Sequence, residues 1–154
     1  MKWAALVTWV LTAGGGFVML GLWLKNGGMQ QNDVPGDRIR AARILTHFAL
    51  AAGGLVVWII YLAADSKALA WIAFALLAVV ALLGFSMLAV WLRQRSSVGT
   101  PATAGAGAAG VAGTLGGEPP AEQHFPVAIV GLHGVLAAAT LVLVFLVAAG
   151  VGGS

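Results

Sequence analysis

The chain has 154 residues, of which 60% are apolar before its 22 glycines are added, against roughly 45–50% with glycine included in an ordinary soluble domain. Only 8% of residues are charged, with eight Lys/Arg against five Asp/Glu and a formal net charge of +3. The charges sit in short clusters between long uncharged apolar stretches, which argues against a soluble globular domain and points to an integral membrane protein. The basic excess flanks apolar runs instead of forming a patch, so no nucleic-acid partner is expected. With no cysteine, the chain itself cannot supply a disulfide, a thiolate nucleophile, cysteine ligands to an iron–sulfur cluster or a covalent c-type haem attachment.

Four stretches pass the spanning test of about 20 predominantly apolar residues. They run over 3–24, 44–64, 68–92 and 126–149. Each is uncharged, and because a backbone in lipid must satisfy its own hydrogen bonds, each is expected as a helix. The fold class is therefore all-α, an integral membrane four-helix bundle in a single domain. Trp3, Trp23, Tyr61, Trp71 and Trp91 lie near span ends, where amphipathic rings favour the headgroup level. The triplet Gly14-Gly15-Gly16 falls inside the first span and suggests close packing or a bend there.

Between the third and fourth spans, Ser96 to Gly117 is also uncharged, but seven of its 22 residues are glycine and Pro101 interrupts it. It reads as a linker with little apolar surface to bury, extending over 96–121 to the Glu118-Pro119-Pro120 stop. Pro126 suits the start of the fourth helix.

The connections after spans one and three carry Lys25, Arg38, Arg40, Arg43, Arg93 and Arg95, and the opposite side carries Lys2 and Lys67. Six cations against two place those connections in the cytoplasm, with both termini outside and Asp65-Ser66-Lys67 as a tight external hairpin. The arginines anchor to anionic headgroups, or would pair with haem propionates if haem were bound at their level.

The chemistry rests on two histidines. His47 and His133 each lie a few residues into spans two and four, which run in the same direction. Six residues separate Ala41 from His47 and seven separate Pro126 from His133, about 9 and 10.5 Å at 1.5 Å rise per residue. Two imidazoles at one depth on parallel helices form a candidate bis-ligand site, with His47 and His133 as axial ligands of a b-type haem iron. The faces below them carry Leu50, Ala51, Gly54, Trp58 and Tyr61 on one helix and Ala137, Thr140 and Val144 on the other. The competing reading is structural hydrogen bonding between helices. His124, nine residues before His133, falls on the opposite side of any continuous helix and is expected as a cap or headgroup contact. With Asp33, Asp37, Glu118 and Glu122 it could form a weak metal site, although the spacing matches no zinc motif. No acidic or basic residue lies within a span, which argues against independent ion-coupled transport. No hydrolase motif occurs, so no catalytic activity is expected of the isolated chain.

The stretch from His47 through Arg95, with His124-Phe125-Pro126 and His133-Gly134, resembles small four-helix membrane proteins of actinobacterial type. In outline it is also similar to membrane anchors of respiratory oxidoreductases and to small b-type cytochromes. That resemblance implies a cytoplasmic-membrane electron-transfer or anchor subunit with one haem, His47 and His133 as ligands, and membrane protein subunits and quinone as partners in the bilayer. The second histidine pair of a two-haem cytochrome is missing. The alternative is a cofactor-free accessory subunit of a larger membrane complex.

Overall fold

The computed structural model describes residues 1–31, 38–98 and 119–151. It is all-helical, with α1 Lys2–Lys25, α2 Ala41–Ala64, α3 Lys67–Val98 and α4 Val127–Ala148, and a single 3₁₀ turn at Ala121–His124. All four α-helices are long and apolar enough to cross a membrane. Their bounds match the four apolar runs to within a few residues, except that α3 continues past Leu92 through Arg93, Gln94 and Arg95. These residues are good helix formers, and the added turns give α3 a polar end beyond its apolar length.

Successive helices pack in a four-membered ring in which α1 lies against α4, α4 against α3, α3 against α2, and α2 more lightly against α1. Among the described residues α2 and α4 occupy one diagonal and α1 and α3 the other. The interior at one end interleaves large rings with small side chains: Trp9, Trp58 and Tyr61 pack among Ala5, Ala70, Ala73 and Ala148. Gly54 allows this, because a Cβ there would lie 3.1 Å from the Trp9 ring. The stripes expected below the two histidines turn inward, with Gly54, Trp58 and Tyr61 on α2 and Thr140 and Val144 on α4 buried, and with Leu50, Ala51 and Ala137, nearer the histidines, half-buried.

The outer surface is apolar, with Leu82 70% exposed and Phe85, Leu132 and Val135 similarly bare. The hydroxyls of Thr8, Thr12 and Thr140 donate to carbonyls one turn earlier in their own helices, so they bring no unsatisfied group to an apolar environment. Asp65, with φ 50°, ends α2 in the left-handed region, which Asp tolerates better than most residues. Its carboxylate meets Lys2 of α1 at 2.6 Å.

The opposite end of the bundle is closed by the 3₁₀ turn, which packs on α1 and α3. Glu122, only 1% exposed, is the centre of this closure. Its Oε1 accepts the Ile39 backbone N–H and the Gln94 side-chain amide, both at 2.7 Å. The Trp91 indole N–H donates to the Glu122 carbonyl oxygen. Gln31 completes the seam, its Oε1 accepting from the Ala121 N–H and from Arg38. The expected linker over 96–121 is thus shortened at both ends, since 96–98 belong to α3 and its last residues are a docked turn, while 99–118 lie outside the described residues.

The expected aromatic belt is corrected at both ends of the bundle. Trp3 is 68% exposed and Trp71 is exposed too, but Trp23 is 1% exposed and Tyr61 and Trp91 are buried. Trp23 is enclosed because Gly28 folds back onto its indole ring, with Ala41 and Ala121 completing the shell. Trp91 is drawn inward by its hydrogen bond to the turn.

Candidate functional site

His47 is the seventh residue of α2 and His133 the seventh of α4. The two helices are parallel, so the depth match expected from the sequence holds, and the diagonal packing turns both rings toward the bundle interior. Their ring centroids are 6.4 Å apart with an interplanar angle of 50°. Both histidines are half-buried.

Each imidazole is seated on glycine from a helix of the other diagonal. The His133 ring lies against Gly15 and Gly16 of α1, where a Cβ on Gly16 would stand 3.3 Å from His133 Cε1. The His47 ring lies against Gly84 of α3, where a Cβ would stand 3.3 Å from His47 Cε1. All four helices thus contribute to one small layer. In this layer Gly15 and Gly16 serve close packing without a break in α1, while Gly14 has nothing near its missing side chain.

The two rings differ in their hydrogen bonding. His133 Nδ1 lies 2.9 Å from the Thr12 carbonyl oxygen. A carbonyl only accepts, so Nδ1 carries the proton and donates, and in the neutral ring Nε2 keeps its lone pair. His47 is held more loosely: its ring approaches the Val80 backbone carbonyl of α3, but its buried Nδ1 makes no hydrogen bond. An orphaned buried nitrogen costs about 1–3 kcal/mol, so this is a position that a ligand or metal would relieve.

Thr12, Gly15, Gly16 and Gly84 were not identified as members of this layer from the sequence. Their signal was present in part, because glycines inside apolar helices mark close approach, but nothing local says which ring approaches. His124 stays within its own turn, its Nδ1 3.3 Å from the Ala121 carbonyl oxygen. Glu122 is not part of a surface metal cluster: it is committed to Ile39 and Gln94. Asp33, Asp37 and Glu118, the other acidic members of that suggested site, lie outside the described residues, and among the described residues no three metal-ligating side chains come together.

No protein-family model, no curated protein and no solved structure matches this chain. The functional reading therefore rests on the residues and their geometry.

Proposed function

We propose that this chain is a multi-pass protein of the cytoplasmic membrane, with both termini outside, in which His47 and His133 hold a single b-type haem as an electron-transfer or anchor subunit. The observation that carries the reading is the 6.4 Å separation of the two rings across the bundle diagonal. A metal bound at about 2 Å by a nitrogen of each ring spans about 6 Å between ring centroids. The unpartnered His47 Nδ1 and the free Nε2 left by the His133–Thr12 bond are the donor chemistry such a metal needs, and the Thr12 carbonyl is the outer partner that orients a ligating histidine. Haem bound there would supply one-electron transfer. Quinone and larger membrane subunits are the partners that fit such a role.

Membrane insertion is supported by the bare apolar outer surface, where Leu82, Val135 and Phe85 find no protein neighbours to cover them. A soluble protein leaves no such continuous surface open to water. The orientation rests on the six-to-two distribution of cations.

A second reading is favoured by one observation, the His133–Thr12 hydrogen bond, which satisfies His133 within the protein and ties α4 to α1. On that reading the chain is a cofactor-free accessory subunit. The reduced-minus-oxidised absorption spectrum of the purified protein separates the two. A haem protein shows low-spin b-type bands that His47→Ala or His133→Ala removes or converts to high spin, while His124→Ala leaves them intact. A colourless protein from haem-replete cells that does not take up added haem overturns the haem reading.

A further inference from the structure

At the Lys2 end of the bundle, remote from the histidines, a cavity of about 190 Å³ opens between the α2–α3 hairpin and the end of α4. Its floor is apolar, made by Ala70, Val147 and Ala148, and its polar walls are Tyr61, Asp65 and Lys67. Pockets of this composition hold an apolar body and orient it through a few polar groups.

The polar groups are not equivalent. Asp65 is already paired with Lys2 at 2.6 Å. Lys67 is exposed and makes no ion pair among the described residues. With Lys2 counted, two cations and one carboxylate leave the cavity mouth at +1. Lys67 is also the first residue of α3, so its ammonium stands at the helix end where backbone N–H groups favour an anion. The independent observation is Tyr61. It is 6% exposed, it lines the cavity, its ring is held against Trp58 with centroids 4.8 Å apart, and its hydroxyl makes no hydrogen bond among the described residues. The ring is thus fixed in the protein while the hydroxyl lies open at the cavity, a donor held in place for an occupant.

We propose that this cavity binds the phosphate group of a membrane phospholipid, with Lys67 and the Tyr61 hydroxyl as its donors and the Ala70, Val147 and Ala148 floor beneath the glycerol and the first acyl methylenes. Exposed Trp3 and Trp71 mark the same end of the bundle, the depth at which aromatic rings and headgroups meet. Phosphate chemistry is selected over a neutral headgroup because the uncommitted groups are a cation, a hydroxyl donor and a helix N-terminus. The inference rests on the membrane reading and is independent of haem.

The test uses the full chain in mild detergent, titrated with dioctanoyl phosphatidylglycerol and read by native mass spectrometry. The expected result is one phospholipid per chain, with affinity lowered at least tenfold in Lys67→Gln and in Tyr61→Phe and retained in Lys67→Arg. Dioctanoylglycerol, which lacks the phosphate, should not compete. Unchanged binding in both weakened variants, or equal binding of dioctanoylglycerol, overturns the proposal. Displacement by an equal concentration of inorganic phosphate overturns the lipid as occupant and assigns the site to a free anion. Failure of the membrane reading is read separately, as a protein that fractionates away from membranes.

Discussion

The backbone N–H of Ile39 donates to Oε1 of Glu122 at 2.7 Å, across 83 positions of sequence. Gln94 donates to the same oxygen, so one carboxylate joins the approach to α2, the polar end of α3 and the turn that leads into α4. Glu122→Ala strands both donors in a buried place, and each orphaned donor costs about 1–3 kcal/mol. Glu122→Gln retains an accepting oxygen and should recover most of the loss. Thermal unfolding in detergent measures both, and an alanine variant as stable as the parent would show that the seam contributes nothing.

Gly28 offers a steric test of the same end. A Cβ at this position would lie 2.1 Å from the core of the Trp23 indole, which is itself enclosed and cannot swing aside. Gly28→Ala should therefore destabilise by about 1–3 kcal/mol or more through overpacking and expose Trp23, seen as a red-shifted emission. Gly21→Ala is the control, because nothing lies within 4 Å of its missing side chain and it should be tolerated.

In the haem-free protein the two histidine variants should differ. His133→Ala removes the hydrogen bond to Thr12 and should cost about 0.6–2 kcal/mol beyond the packing loss. His47→Ala gives up only the looser approach of its ring to the Val80 backbone and relieves an unpartnered Nδ1, so its cost should be the smaller. Equal destabilisation by chemical denaturation of the apo forms would argue that the Thr12 contact is energetically idle.

Orientation is tested by single cysteines, which the cysteine-free chain makes unambiguous. Ser66→Cys, between α2 and α3, should react with an impermeant maleimide in intact cells. Gly107→Cys, between α3 and α4, should react only after the membrane is opened. Labelling of both from outside would overturn the orientation and the four-span arrangement together.

The four helices and the equal depth of His47 and His133 were legible in the sequence because both are local quantities: apolar length, and residues counted from a helix start. The interior stripes Gly54-Trp58-Tyr61 and Thr140-Val144 followed from the same 3.6-residue period. What periodicity does not carry is which helices share a diagonal, so the seats on Gly16 and Gly84 could not be assigned to their rings. Glu122 and Trp91 were misjudged for a related reason. They lie at or beyond the ends of the apolar runs, where polarity suggests solvent, and only the long-range seam with Ile39 and Gln94 reveals that they are enclosed.

The two-residue turn at Asp65-Ser66 has a consequence for biogenesis. A connection this short makes the entropy of closing α2 onto α3 small, so the pair can enter the bilayer and zip together as one hairpin while later residues are still being synthesised. The extensive α1–α4 contact, in contrast, joins segments separated by more than half the chain, and His133 reaches Gly16 and Thr12 only when α4 arrives. The bis-histidine layer is thus a product of the final insertion event, and a chain truncated before α4 would carry His47 with no counterpart.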